Sequence, residues 1–507
     1  MQSPSQYAGL VSPPLQADQA DVRQRRTVFP IRTDPLQDDK AIEIKLLSVA
    51  RPHMRAFHYA WLSFFFAFFG WFSIPPLMPT IKKELGLSAD QVSNSNIVSV
   101  ASTILGRAVG GPMCDRYGSR TVQAVLLVVG AIPVASAALV TSYTGLMFAR
   151  FFIGLVGCSF IATTYWTSTM FSKEVVGSAN ALAAGWGNLG AGATTLITPQ
   201  LFNLVTTGGA LSDDMGWRVA LLFPAVFMVI IGVALFFNSD DCPQGQYKDL
   251  RKNSAIDTAA TKPAVDMKQG LLHVAKLPVT WILAFQYACS FGIELQVHNV
   301  LTEHYYEDFT YSNCDPTTDA NECRRLTQSR ATLISSLFGL MCIFARALGG
   351  YLSDVGNRRC GMKGRIAVQF VSFAGQAVFL YLYSTTKSLS SSIPLLVFFG
   401  IFVQACTGST YGIVPYVLPA FTGATSGFVG AGGNVGALCW SLMFKGIGNR
   451  TTSFKYLSIF VAAGALVTFG IKVPGNAALW EKDDSVHGGL APTEVDDDSA
   501  HNGKAAA

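Results

Sequence analysis

Charge is scarce in this sequence: 14% of its 507 residues are Asp, Glu, Lys or Arg, against about a quarter in soluble globular domains. So few ionised side chains cannot clothe a water-facing surface for a chain of this length, which excludes an ordinary soluble protein. No basic run interleaved with aromatic residues is present, so the formal net charge of +5 does not speak for nucleic-acid binding. No His, Cys, Asp and Glu spacing reads as a metal site, and no nucleophile and base form a known motif. An enzyme is therefore not expected, and no cofactor or metal is called for. The first 55 residues hold no continuous apolar stretch, so no cleavable signal is expected and the first apolar segment has to direct insertion itself.

What is present is apolar length. Half of the residues are hydrophobic, and stretches of about 20 residues, enough to cross a bilayer, can be placed at 56–79, 93–113, 121–141, 144–170, 177–205, 217–238, 279–303, 329–353, 365–385, 392–418, 424–446 and 454–473. This predicts an all-α membrane protein of twelve transmembrane helices. Residues 1–55 form an N-terminal tail that offers no core, 56–238 a six-helix bundle, 239–278 a polar linker, 279–473 a second six-helix bundle and 474–507 a disordered acidic tail. Arg116, Arg120, Lys173, Lys248, Arg251, Lys252, Arg358, Arg359, Lys363 and Arg365 all follow even-numbered spans. The positive-inside rule then puts those loops and both termini in the cytoplasm. Most of the ten cysteines fall inside spans, where they read as small buried residues. Cys314 and Cys323 instead flank "DPTTDANE" in an outside loop and are a candidate disulfide.

The two bundles repeat one another. "GRAVGGPMCD" at 106–115 is echoed by "ARALGGYLSD" at 345–354, which pairs Arg107 with Arg346 and Asp115 with Asp354. "GWGNLGAG" at 185–192 is echoed by "AGGNVGAL" at 431–438, which pairs Gly187 with Gly433 and Asn188 with Asn434. Each arginine stands eight residues above its aspartate, roughly 12 Å at 1.5 Å per residue, near the middle of the hydrocarbon. A guanidinium there costs at least ~2.5 to 3.5 kcal/mol and has to face a cavity or a partner. In one reading Glu294, the one clear acid at that depth, pairs with one arginine while backbone carbonyls serve the other. In the reading adopted here, both forks clamp a flat anionic substrate by parallel hydrogen bonds, which lysine cannot supply.

"GWGNLG" meets the spacing of a dinucleotide-binding loop but lies within an apolar helix with no strand before it, so the glycines read as close helix contacts. Asn188 and Asn434 then either bind substrate or brace a neighbouring helix. In the seventh span Tyr287, Phe291, Glu294 and His298 recur at steps of four, three and four, one face of a helix. That stripe is either packing or, given its acid and its imidazole, a place where Glu294 or His298 couples a proton to an anion.

These motifs, with "AAGWGNLGAG", "GFVGAGGNVGAL" and "YWTSTMF", resemble the nitrate/nitrite porter family of the major facilitator superfamily, and within it the eukaryotic high-affinity nitrate transporters of plants and algae. The resemblance runs from about Phe57 to Val473. It implies the major facilitator fold in two pseudo-symmetric halves, alternating access at the plasma membrane, and nitrate, with nitrite as rival cargo, held by Arg107 and Arg346. It also implies an aromatic and hydroxyl lining from Phe160, Tyr287 and Phe291, with Gly187 and Asn188 beside it and an aromatic of the first span, for which Trp71 is chosen with Phe68 and Phe72 as alternatives. Asp115, Arg116, Arg120 and Asp354 match gating loops. Proton symport is what this branch implies, whereas bacterial relatives include exchangers. No residue indicates the single-span accessory subunit that some relatives use, and a nitrate sensor that moves nothing is the rival from another class.

Overall fold

A bilayer offers backbone groups no hydrogen-bond partners, so an apolar chain crosses it only with its polar backbone bonded to itself. The computed structural model, which describes residues 29–172, 175–249, 272–311, 323–418 and 422–481, meets this demand with helices. They are α1 (His53–Trp71), α2 (Ala89–Tyr117), α3 (Ser119–Ser136), α4 (Tyr143–Leu155, continuing through a tight turn into Ser159–Met170), α5 (Val176–Thr206) and α6 (Asp213–Asn238). In the second half come α7 (Pro278–Tyr287, Ala288–Gly292 and Ile293–Glu303 in sequence), α8 (Gln328–Leu340, then 345–359), α9 (362–385), α10 (Leu389–Val417), α11 (Thr422–Ile447) and α12 (Arg450–Leu466). Non-helical Cys360 and Gly361, the latter at φ 59°, part α8 from α9.

Among the described residues, eight helical stretches are long and apolar enough to span a membrane, one of which, Gln328–Thr385, contains both α8 and α9. Among the other helices, α5 and α7 carry the polar residues Asn188 and Glu294 at the interface of the halves, which lowers their apolar signal.

We call the side where α1 begins the terminal face and the other the opposite face. On the opposite face, side chains that accept from the first turn start the helices: Ser88 for α2 in a capping box with Gln91, Ser142 for α4, Ser212 for α6, Thr327 for α8 and Asn449 for α12. Polar bridges clasp the two halves there: Thr80 to Gln328 at 2.7 Å, Lys82 to Glu307 at 2.8 Å, Asn203 to Ser329 at 2.7 Å and Lys445 to Asn94 at 2.8 Å. Cys323 is disulfide-bonded. Its expected partner, Cys314, lies outside the described residues, as do Lys173, Arg251 and Lys252.

The N-terminal stretch corrects one expectation. Residues 33–41 form a small hairpin of β1 (Thr33–Asp34) and β2 (Lys40–Ala41). Ala41 is fully buried and bridges Phe171, while Lys40 donates to the Ser168 carbonyl at 2.9 Å. Backbone pairing to Ala41 and a few scattered apolar side chains, Ile31, Ala41 and Ile44, dock this segment, and so short an apolar content forms no run that hydropathy can read.

Within each half, glycines set the helix spacing. A Cβ on Gly190 would collide with the Phe65 carbonyl oxygen of α1, and one on Gly436 with Ala288 of α7. Gly190→Ala is expected to cost about 1 to 3 kcal/mol by overpacking. It should lower the thermal midpoint of the purified protein, whereas Gly177→Ala, where a Cβ meets nothing within 4 Å, should not.

Candidate functional site

Arg107 lies eighteen residues into α2, about 27 Å from its opposite-face end at 1.5 Å per residue. It is 8% exposed, and its Nη1 reaches the Gly430 carbonyl of α11 at 3.5 Å. The guanidinium carbon stands 5.1 Å from the Phe160 ring centroid and 5.3 Å from that of Phe291. Among the described residues, Nε and Nη2 have no hydrogen-bond partner. Cation–π contacts of this kind contribute about 2 kcal/mol when desolvated, but they do not satisfy N–H donors.

Arg346, in α8, is 2% exposed and differently served. Its Nη2 donates to Glu294 Oε2 at 2.7 Å, and its Nε and Nη2 donate to Gln404 Oε1 at 3.2 and 3.0 Å. With the amide of Asn188 turned so that its oxygen faces the fork, that oxygen accepts from Nη1 and Nη2 at 2.6 Å. The contact pattern is that of the reading not adopted from sequence: Glu294 pairs with one arginine and a backbone carbonyl meets the other. Arg107, Arg346 and Glu294 together leave one positive charge in excess, and it resides on Arg107.

Of the paired asparagines, Asn188 reaches across the interface and Asn434 turns back onto its own helix. Asn188 of the first half meets Arg346 of the second, so bracing is what it does in this arrangement. Asn434 of the second half donates to Gly430 O at 3.2 Å, the carbonyl that Arg107 also meets, and its own Oδ1 has no partner. The paired glycines act alike in both halves. A Cβ on Gly187 would strike the Phe64 ring, and one on Gly433 would lie 2.6 Å from Tyr287 Cδ1 and 3.0 Å from Phe291 Cδ1. Rings thereby lie flat on helix backbones.

Tyr287 and Phe291 stack at 5.2 Å and 15°, and Phe160 stacks on Phe291 at 6.2 Å and 28°. The turn Ala288–Gly292 that carries Phe291 is a π-helix, a widened turn frequent at functional sites. It alters the register that a uniform helical stripe assumes. Glu294 reaches Arg346, but His298 joins neither arginine. Its ring packs on Phe72 and Phe338, each 5.3 Å away, and its Nε2 is unpartnered.

Trp71 also lies elsewhere: its Nε1 donates to Ser99 Oγ at 2.9 Å. The α1 ring beside Phe160 is Phe64, at 5.8 Å. Its signal was the four-residue spacing to Phe68 opposite the Gly187 motif, hidden among eight α1 phenylalanines and tryptophans that composition cannot rank. Sequence reasoning also missed Gln404 and Tyr411 of α10. Tyr411 packs edge-on to Tyr287 at 5.2 Å, and Gln404 stood visible as an amide within an apolar run.

The loop residues form brackets within each half at the terminal face. Arg120 donates through Nη1 to Phe236 O at 2.7 Å and through its backbone N–H to Asp241 Oδ1 at 3.0 Å, while its Nε lies 3.6 Å from Asp241 Oδ2. Burial pushes the Asp241 carboxyl above its ordinary value, against the pull of Arg120. Asp354 pairs with Arg365 at 2.8 Å. Arg116 is exposed and sits over the Tyr117 ring at 5.4 Å. Asp115 lies in the last turn of the same helix, which ends at Tyr117.

The model of the Major Facilitator Superfamily matches residues 60–441. The high affinity nitrate transporter 2.5 of Arabidopsis thaliana is 36% identical over 420 residues, 83% of this chain and 78% of that one. The nitrate transporter 2.1 of Chlamydomonas reinhardtii is 35% identical over 84% of this chain and 74% of its own. Among solved structures, the xylose transporter XylE from E. coli in a partially occluded inward open conformation superposes with a TM-score of 0.59 at 14% identity, covering 83% of this chain and 98% of that one, a likeness of fold alone. The chain is thus a multi-pass membrane protein of twelve helices in two pseudo-symmetric halves and not an enzyme; it belongs to the Major Facilitator Superfamily and, within it, to the family of plant and algal high-affinity nitrate transporters.

Proposed function

We propose that this protein imports nitrate by alternating access, with the anion held between Arg107 and Arg346. The observation that carries the reading is Arg107: a buried guanidinium with two orphaned donors, walled by the faces of Phe160 and Phe291. An unmet buried donor costs about 1 to 3 kcal/mol and more when charged, and a flat oxyanion edge-on to the fork removes that cost. One excess positive charge matches one monovalent anion. Arg346 supplies the second fork when Glu294 yields it, and a proton on Glu294 is the natural means of release. Symport of nitrate with protons follows from this exchange of partners. The orientation has the terminal face in the cytoplasm and the chain in the plasma membrane, supported by the basic loops after even-numbered helices.

Nitrite is the second cargo in view, because a cyanobacterial relative from Nostoc punctiforme, 24% identical over 83% of this chain, is named a nitrate/nitrite transporter. The test is anion-evoked current in an expressing cell at two external pH values, with nitrite and chloride for comparison. Inward positive current with nitrate that grows with acidity is expected. Uptake without current would replace symport by exchange or one-to-one coupling, and absence of uptake would leave a binding-only sensor.

A further inference from the structure

Arg150, in α4, is a third guanidinium deep in the protein and has no accessible surface. Nothing in the clamp of Arg107 and Arg346 involves it. Its Nη2 donates to Asn96 Oδ1 of α2 at 2.5 Å and to Asn299 Oδ1 of α7 at 3.1 Å, while Nε and Nη1 have no partner. Among the described residues no carboxylate pairs with it, so its charge is met by amide dipoles alone. The fold does not require a cation there: the offset that carries Asn188 onto Asn434 carries Arg150 onto Leu396. Asn96 precedes Arg107 by eleven residues on α2, which sets Arg150 about 16 Å nearer the opposite face at 1.5 Å per residue. Asn96 lies in the first half, but Asn299 comes from the second.

We propose that Arg150 and Asn96 form a second site for a small monovalent oxyanion, a station between the opposite face and Arg107. The inference rests on the oxyanion-transport reading above and deepens it. When the halves part on the opposite face, Asn299 withdraws with α7. Its amide oxygen then leaves at Nη2 the place that an oxyanion oxygen takes, and the two idle N–H groups complete the fork. When that face closes, Asn299 returns and displaces the anion toward Arg107. A positive step inside a low-dielectric vestibule raises the local anion concentration and the capture rate, an effect of about 10- to 1,000-fold for focused fields.

The effect is one-sided, and that decides the experiment. Nitrate currents are measured in whole-cell and excised patches, with nitrate presented to one face at a time, for the wild type, Arg150→Gln and Arg150→Lys. Arg150→Gln is expected to raise the KM for nitrate at the opposite face by about tenfold or more. The KM at the terminal face should stay within about twofold, and Arg150→Lys should fall between on the opposite face. Equal changes at both faces, or a loss of maximal current with KM unchanged, would mean that Arg150 only holds helices together. If Arg150→Gln does not reach the membrane, Arg150→Lys decides: a wild-type KM at both faces overturns the proposal. A wild type that carries no nitrate would instead remove the transport reading itself.

Discussion

Arg107→Lys is expected to weaken nitrate binding by about a hundredfold while the protein still folds and inserts. An ammonium keeps the charge, and with it the contacts to the rings of Phe160 and Phe291, but it loses the planar pair of N–H donors. A hydrogen bond to a charged group contributes about 1.5 to 3 kcal/mol, and each 1.4 kcal/mol is a factor of ten in affinity, so losing the second tooth of the fork gives roughly that loss. Folding should survive because Arg107 makes a single long contact, 3.5 Å to the Gly430 carbonyl, and contributes little that lysine cannot replace. The measurement is nitrate binding to purified protein by calorimetry, beside the amount of protein at the cell surface. Unchanged affinity would return Arg107 to a structural role.

Glu294→Gln is expected to abolish the acid stimulation of nitrate uptake and to slow turnover by at least about tenfold. Removing one partner of a buried ion pair leaves the other charge unmet, at a cost of about 3 to 5 kcal/mol. Asn188 and Gln404 remain on Arg346 and keep it in place. The unmet charge then falls to the anion, which binds at least as tightly and leaves more slowly. Uptake measured at external pH 5.5 and 7.5, with binding affinity alongside, separates the two effects. A variant that retains full acid stimulation would place the coupling proton elsewhere, and His298, set apart between Phe72 and Phe338, would be the next group to test.

The asymmetry between the two arginines is the central chemical fact of this site. The repeated motifs make Arg107 and Arg346 equivalent by sequence, yet only Arg346 has a carboxylate. Part of the reason is α10: the offset that aligns the asparagines sets Gln404 where the first half has Cys158, so one fork gains an amide oxygen and the other does not. A symmetric pair would hold an anion between equal charges with little to unbalance it. Under the proposed mechanism, an unequal pair, one fork waiting and one committed to Glu294, gives the anion and the proton something to exchange.

The sequence by itself determined the all-helical membrane architecture, the duplication, and the pairing of Arg107 with Arg346 in the repeated motifs. Those properties are local: apolar length, an eight-residue interval and a repeated motif survive without knowledge of any neighbour. Tertiary structure decided which arginine Glu294 neutralises, that Phe64 rather than Trp71 lies beside Phe160, and that His298 stands apart from the acid four residues before it. It also joined Arg150 to Asn299, residues 149 positions apart. Each of these depends on helix rotation and crossing, which the π turn at Ala288–Gly292 and the bare backbones at Gly187 and Gly433 set at the contact itself. A periodicity can say which residues share one face of a helix; what that face meets is settled by how close two backbones come.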